Sequence, residues 1–507
     1  MSVIKGNHAG SAGGDFYSYK INQSLRFNDG DSAYLSKSFG SNGNLKKFTL
    51  SFWFKISILG TDAKFLGSSY TSSSEFAIRI EDTGELNYYS YAGGGTSANY
   101  DLTTTRKFRD SNAWYHMVFV WDTAQSTAAD RVKIYINGVQ ETVFSNAVYP
   151  AQDYSGIWNL ASHTFYIGGT QYYDGYLAEF HHLDGIAGDP TSLGLGETKD
   201  GVWIPKSYSG SHGTNGFYLP FDDSSAIGDD ESANTNDWTV NNLAATDVVK
   251  DSPTNNFATM NPLLTDTNNT TFSEGNLKTV NSAASTSGSS IAVNSGKWFV
   301  EMVCTAKTAT NAMIGICTVD GFDGERQLDE SQNGGSGHGY VMNATKLPGG
   351  ASYGATWAVD DVIGIALDLD SSQNTVTFYK NGSTQGAIDI DNALYVFCNS
   401  NGQGSSTVTY ATNFGQDGTF AGEVVAGGNA DGEGVGDFKY SVPSGYLALC
   451  TANLPDPTIG PTASTIATDN FNTVTYTGPI AAAAAAGTTG AVTGVGFQPD
   501  WVWIKAR

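Results

Sequence analysis

A chain of 507 residues is too long for one ordinary hydrophobic core and fits two or three domains. Its composition, 40% hydrophobic and only 15% charged with 60 glycines and 26 each of tyrosine and phenylalanine, is that of turn-rich, aromatic β proteins and not of helical bundles. The formal net charge of −24 argues against nucleic acid as a partner, because a phosphate backbone must be met by clustered Lys and Arg, and it disfavours anionic lipid as well.

No apolar stretch approaches the roughly 20 residues that a membrane-crossing helix needs, so no membrane insertion is expected. Met1 to Gly10 lacks the apolar core of a secretory signal. Cys304, Cys317, Cys398 and Cys450 offer no Cys-x-x-Cys pair. They read as buried thiols of a protein made in a reducing cytoplasm, not as zinc ligands or a redox couple.

Residues 1–20 are rich in Gly, Ser and Asn and form an arm or attachment segment. Ser24 to Leu35 then predicts strand, turn and strand. Leu50, Phe52, Phe54, Ile56 and Ile58 alternate with Ser51, Trp53, Lys55 and Ser57, the signature of a half-buried strand. Further strands are predicted at 75–80, 86–91, 114–121, 132–136, 165–168 and 175–180. Val132, Ile134 and Ile136 share one face, and Asn137-Gly138 supplies the positive φ angles of a type I′ hairpin turn. Phe48-Thr-Leu-Ser-Phe-Trp-Phe54, Trp114-Tyr-His-Met-Val, Val132 to Val139, Ile167-Gly-Gly and Asp174-Gly-Tyr-Leu-Ala-Glu-Phe180 resemble a laminin G-like, concanavalin A-like domain over residues 21–187. That resemblance implies a β-sandwich; it does not fix a function, because the same sandwich hosts lectins, adhesion modules and glycosidases.

Residues 188–289 lose regular alternation and become rich in Asn, Asp, Thr, Ser and Gly, with Trp203, Phe217, Trp238 and Phe257 scattered through them. Such aromatics argue for an ordered, irregular connector laid over the domains, since disordered segments rarely carry them. A second sandwich is expected over 290–455, beginning near Lys297-Trp-Phe-Val-Glu-Met302. Its centre repeats the earlier grammar: an apolar run, Val362 to Asp370, a polar loop, Thr375 to Lys380, then Asn381-Gly382. Trp357-Ala-Val-Asp-Asp-Val-Ile-Gly364 with Phe378-Tyr-Lys-Asn-Gly382 resembles a SPRY domain, a family that binds partners through loops and carries no catalytic residues. Residues 456–507 hold an alanine run, Ala481 to Ala486, and a predicted terminal strand in Gly496-Phe-Gln-Pro-Asp-Trp-Val-Trp-Ile504. An isolated strand needs a partner. It pairs back into this chain, pairs with a neighbouring subunit, or belongs to a longer precursor. The fold class expected is therefore all-β: two tandem antiparallel jelly-roll-type sandwiches joined by that connector.

Glycosidases on this sandwich set their carboxylates on one strand as Glu-x-Asp-x-Glu, so that period two brings them to one face. No such run exists here. Glu81 and Glu85 flank a turn, and Asp389-Ile-Asp391 lacks a third acid. His181 and His182 are adjacent and would point to opposite faces of a strand. Nucleophile elbows and phosphate loops are absent too, so no enzymatic activity is expected. Tyr88, Tyr89 and Tyr91 before Gly93, and Tyr172 and Tyr173 before Gly175, suit ligand binding, because tyrosines in turns offer flat faces for sugars and hydroxyls for hydrogen bonds. His338 and Tyr340, beside the loop from Gln332, are the corresponding candidates in the second half. No cofactor is required. Calcium is the alternative, with Asp29 and Asp31 in one acidic turn and Asp222, Asp223, Asp229 and Asp230 in another.

The two domains, the connector motifs Asn236 to Leu243 and Asp251 to Phe257, and the Gly-Phe-Gln-Pro-Asp-Trp-Val-Trp-Ile tail together resemble virion proteins of tailed bacteriophages. The resemblance implies a tail- or head-fibre component, made in the host cytoplasm and released in the particle by lysis. Its implied partners are other virion proteins and a bacterial surface glycan or protein, and the fibre likeness adds a homotrimer. Two alternatives are a capsid decoration protein binding only virion proteins, and a polysaccharide-degrading glycosidase.

Overall fold

The computed structural model describes residues 16–71, 74–91, 100–169, 171–308, 312–324, 328, 337–402, 404, 406–455, 471–474, 492–499 and 502–503. Both Asn-Gly pairs form the expected turns. Asn137 and Gly138 have φ of 49° and 76°, Asn381 and Gly382 have 47° and 77°, and the flanking strands pair without a gap, Ile136 with Val139 and Lys380 with Ser383. Each asparagine does a second job. The Asn137 Oδ1 accepts the His116 backbone N–H at 2.8 Å, and Asn381 Oδ1 accepts that of Val362 at 2.9 Å, so each turn is tied to the start of the strand that pairs with the one entering it.

The first sandwich is built of two antiparallel sheets. Its first sheet runs, in spatial order, Val139–Gln140, Val132–Ile136, Tyr115–Asp122, Lys47–Ile56, Gly175–Asp184, Ser24–Phe27 and Val248–Val249, with Phe217–Leu219 also paired to Gly175–Asp184. The second runs Phe144–Val148, Tyr100–Lys107, Glu85–Tyr91, Ser74–Ile80, Ala63–Thr71, Thr164–Ile167, Tyr34–Ser38 and Thr239–Asn241. Between them lies an aromatic core in which Phe48 stacks on Trp121, Phe52 on Phe180, and Trp158 meets Phe165 edge to face.

The second sandwich is also antiparallel. One sheet orders Thr270–Ser273, Lys278–Ser282, Thr407–Asn413, Lys297–Lys307, Val362–Asp368, Thr375–Lys380 and Ser383–Asp389, with Leu447–Ala448 added in parallel to Lys297–Lys307. The other orders Ser285–Gly288, Tyr395–Asn401, Ala312–Thr318, Gly337–Val341, Thr345–Leu347 and Ala351–Ser352. All four cysteines are buried thiols. The fold is thus all-β, with two sandwiches in tandem.

The stretch 188–289 is more structured than its composition suggests. It gives Phe217–Leu219, Thr239–Asn241 and Val248–Val249 to the first sandwich, and Thr270–Ser273, Lys278–Ser282 and Ser285–Gly288 to the second. Strands this short carry too little periodicity to read in isolation; they form because each completes an edge that is otherwise left with unpaired N–H and C=O groups. The segment also closes the junction between the sandwiches. Lys55, fully buried on the outer face of the first sheet, donates to Asp251 at 2.7 Å and Asn256 at 2.8 Å. Arg26 is enclosed by Asp417 at 2.8 Å, Asp247 at 3.2 Å and Glu274 at 3.3 Å. Tyr176 donates to the Gly275 carbonyl at 2.7 Å, and Asn276 to that of Ser57 at 3.0 Å.

Much of the predicted N-terminal arm and C-terminal segment, including Ala481 to Ala486, lies outside the described residues. The expected terminal strand is not formed by its described part: residues 496–499 and 502–503 pair with no sheet, and Trp503 is 77% exposed.

A tyrosine-lined candidate binding face

Pairing register, not turn chemistry, decides where the candidate tyrosines go. Glu85–Tyr91 is a strand, and its alternation sends Leu86, Tyr88 and Ser90 inward while Asn87, Tyr89 and Tyr91 face out. Tyr88 is fully buried, with its ring against Phe76, Phe119 and Tyr100. Tyr173 is fully buried as well; its hydroxyl donates to the Lys55 carbonyl at 2.8 Å and its ring packs on Phe27 and Phe65. Burial raises both phenols well above their ordinary range. Neither can present a face to a ligand, which corrects the expectation for both. Tyr340 is likewise in the core, its hydroxyl donating to the Ala355 carbonyl and its ring against Tyr353 and Phe378. His338 is half-buried in the same strand, opposite Ile316; residues 329–336 before it lie outside the described residues.

Tyr89 and Tyr91 stack at 5.4 Å on the outer face of the second sheet. Tyr89 is nearly covered, because the Arg79 guanidinium lies 4.9 Å and the Lys64 ammonium 6.0 Å from its ring centre. Tyr91 is half-buried and donates to Glu75 at 2.9 Å, and Lys64 pairs with the same carboxylate. Asn87 donates to Asp101 at 2.8 Å and Thr103 at 2.9 Å. Cross-strand register continues this row through Ala77 and Gly67 to Tyr166.

There the face opens. Tyr166 meets Tyr34 edge to face at 5.8 Å, and Tyr34 lies 6.2 Å from Tyr172, which is 38% exposed. Gly169 permits the cluster, since a Cβ there would sit 3.0 Å from that of Tyr166 and 3.3 Å from that of Tyr34. Beside the rings, Asn241 donates to Ser36 at 3.1 Å, and the Ser38 and Thr164 hydroxyls are 3.0 Å apart. Of the five tyrosines expected in the first sandwich, Tyr172 is thus at the open surface, with Tyr91 at its margin. Tyr34 and Tyr166 escape sequence reasoning that looks for tyrosines in turns. Period two marks them, because Tyr166 stands between the inward Phe165 and Ile167, and Tyr34 before the inward Leu35.

The acidic turns do not converge. Asp230 is buried and spent on the chain itself, accepting the N–H groups of Tyr218, Ser232 and Asn236 at 2.7–2.8 Å. Asp223 caps Ser225, and Asp222 and Asp229 are exposed. Asp31 accepts from Asn28, while Asp29 faces Asp174, whose carboxyl is pushed well above its ordinary range by burial and then by the charges of Asp29 and Glu274. Among the described residues, no three His, Cys, Asp or Glu side chains are placed to hold a metal ion. The acids of the two turns thus cap turns, face another carboxylate or lie exposed.

No curated protein matches the chain. Among solved structures it is similar to the SPRY domain of human HERC1, at 14% identity, covering 30% of this chain and 96% of that one with a TM-score of 0.26. It is also similar to the native heptameric SAP-like pentraxin of Limulus polyphemus, at 16% identity, 33% and 78% coverage and a TM-score of 0.24. The family model of the concanavalin A-like lectin/glucanases superfamily matches residues 28–185, and that of the SPRY domain matches residues 297–416. The chain therefore carries a concanavalin A-like domain followed by a SPRY domain.

Proposed function

We propose that this chain is a non-catalytic binding protein, a tail- or head-fibre component of a tailed-bacteriophage particle, that holds a host-surface glycan on the tyrosine face of its first sandwich. The observation that carries the reading is the open group Tyr34, Tyr166 and Tyr172, flanked by hydroxyls and amides on a rigid sheet. Rigid rings bind sugar faces at little entropic cost, and nearby polar groups select hydroxyls. The carboxylates of this face are engaged, Glu75 by Lys64 and Tyr91 and Asp101 by Asn87, which suits binding better than acid–base chemistry. The virion setting rests on the likeness of the connector and tail motifs to phage proteins. In that setting the second sandwich docks on another virion protein, and the exposed Val502 and Trp503 contribute to a homotrimer.

Each ring stacked on a sugar contributes about 1 kcal/mol, so single sites bind weakly and multivalent display supplies avidity. Labelled full-length protein, clustered on beads, is to be bound to host cells and to isolated capsule and lipopolysaccharide. Tyr166→Ala and Tyr172→Ala should each reduce retention severalfold at unchanged melting temperature. Undiminished retention by the double variant overturns the site, and sustained release of reducing sugar overturns non-catalysis.

A further inference from the structure

The side chain of Lys55 leaves strand Lys47–Ile56 on its outer face and ends in a site closed to solvent. Its three ammonium hydrogens meet three acceptors: Asp251 Oδ2 at 2.7 Å, Asn256 Oδ1 at 2.8 Å and the Phe257 carbonyl at 3.5 Å. Lys55 and Asp251 are each 0% exposed, and the Tyr176 ring centre lies 5.4 Å from the ammonium. Burial lowers the Lys55 ammonium below its ordinary range, against the pull of Asp251. An amine, a carboxamide and a carboxyl group in mutual contact away from water are the reactants of a transamidation.

Both partners of Lys55 are held in place. Asp251 Oδ1 accepts the Trp114 indole N–H and the Phe257 backbone N–H, each at 3.2 Å, which leaves Oδ2 to the ammonium. Asn256 Nδ2 donates to the Asn112 carbonyl at 2.7 Å, so its Oδ1 is the atom turned to the lysine. The Asn256 backbone is bound to Thr451 of the second sandwich from both sides: its N–H donates to the hydroxyl, and its carbonyl accepts the Thr451 N–H, both at 2.9 Å.

We propose that Lys55 and Asn256 join as an intramolecular amide, with Asp251 carrying the protons. Asp251 takes one ammonium proton, which leaves a neutral amine beside a carboxylic acid. Rotation about Cε–Nζ turns the freed lone pair onto Asn256 Cγ, one bond behind Oδ1. The Nζ–Cγ bond forms and the Cγ–Nδ2 bond breaks. Asp251 passes its proton to the departing nitrogen, which leaves as ammonia with the electron pair of the broken bond, and takes one proton from Nζ. No oxidant or further reactant enters, and the closed site keeps water from competing for the carbonyl. The product ties a strand of the first sandwich to a residue already bonded to the second.

The test is the intact mass of the folded full chain, denatured only for the measurement, followed by peptide mapping. The chain should be lighter than its sequence by one ammonia, and the peptides carrying Lys55 and Asn256 should be recovered as one branched species. Lys55→Met and Asp251→Ala should keep the full mass. Lys55→Met should also migrate more slowly in a denaturing gel, because its 55–256 loop is open. Full mass in the parent after prolonged incubation overturns the proposal, whether or not the variants fold. Loss of water in place of ammonia overturns it as well, since Asp251 is then the group acylating the lysine. Ammonia lost without a branched peptide, as succinimide formation at Asn137-Gly138 or Asn381-Gly382 gives, overturns it too. A cross-link surviving in Asp251→Ala overturns the role of Asp251. Tyr166→Ala should retain the cross-link, so failure here and failure of the tyrosine face are distinguishable.

Discussion

Replacing Arg26 by methionine removes the one cation shared by three carboxylates at the junction of the sandwiches. Arg26 is almost wholly buried, and Asp417, Glu274 and Asp247 have side-chain exposures of 4%, 14% and 19%. Breaking a buried ion pair from one side costs about 3–5 kcal/mol, because the remaining charge stays desolvated without its partner. Asp417 retains other donors here, from the Thr419 hydroxyl and the N–H groups of Thr419 and Ala421, so the lower end, about 3 kcal/mol, is expected. Arg26→Lys keeps the charge but loses the planar fork that reaches several oxygens at once, and should cost about half as much. The assay is urea unfolding followed by tryptophan fluorescence, with the second sandwich's Asp417→Asn included to complete a double-mutant cycle. Coupling of at least about 1 kcal/mol between the two sites is expected. A loss below about 1 kcal/mol for Arg26→Met, or strictly additive single changes, would refute the view that this charge cluster locks the two halves together.

Four further outcomes follow from the packing. His116 and His182 are fully buried and neutral, held near pKa 3 and 4 by burial, with Trp203 and Trp158 donating to their acceptor nitrogens at 2.9 and 3.0 Å. A depressed folded pKa means stability that is complete above about pH 6.5 and lost as pH falls towards the folded value, so each histidine should remove about 2 kcal/mol by pH 5. Compared between pH 7.5 and 5 by urea unfolding, His116→Gln should lose about 2 kcal/mol less than the parent; equal losses would count against the assignment. Tyr88→Ala should cost about 3–5 kcal/mol while Tyr172→Ala stays within about 0.5, and equal melting temperatures for the two would contradict their placement. Gly138→Ala forces a Cβ to 2.3 Å from the Trp203 ring at a φ of 76°, whereas at Gly382 the nearest atom of Tyr440 is 2.9 Å away; thermal unfolding should therefore rank Gly138→Ala as the more damaging. Light scattering of the full chain at micromolar concentration should give a trimer, and a monodisperse monomer would remove the fibre reading of subunit number.

The parts of this fold legible in the sequence are those whose signal is local. Asn137-Gly138 and Asn381-Gly382 announce their turns because few other residue pairs accept two successive positive φ angles. Alternation likewise marks Lys47–Ile56 and Thr375–Lys380 as strands. What the sequence hides depends on distant partners. Val248–Val249 is two residues long and is a strand only because Ser24–Phe27 lies beside it. The binding face shows the same division. Tyr88 and Tyr89 are chemically identical neighbours, and the strand's two-residue period sends one into the core and the other to the outer face. A tyrosine cluster read as a turn conceals that period.

The pairing of Ser24–Phe27 with Val248–Val249, and of Arg26 with a carboxylate 391 residues further on, has a consequence for the order of synthesis. At ~5–20 residues per second, about 20–80 seconds pass between the emergence of Arg26 and that of Asp417. Until Val248 and Val249 emerge the growing chain holds a strand edge with no neighbour, and until Asp417 follows the guanidinium lacks the most deeply buried of its three counter-charges. The edge is chemically ready to accept a strand from another nascent copy. Ribosome spacing and translation speed along residues 188–289 thus bear directly on yield. A fragment ended at residue 187 keeps that open edge permanently, and should be recovered as aggregate where the full chain stays in solution.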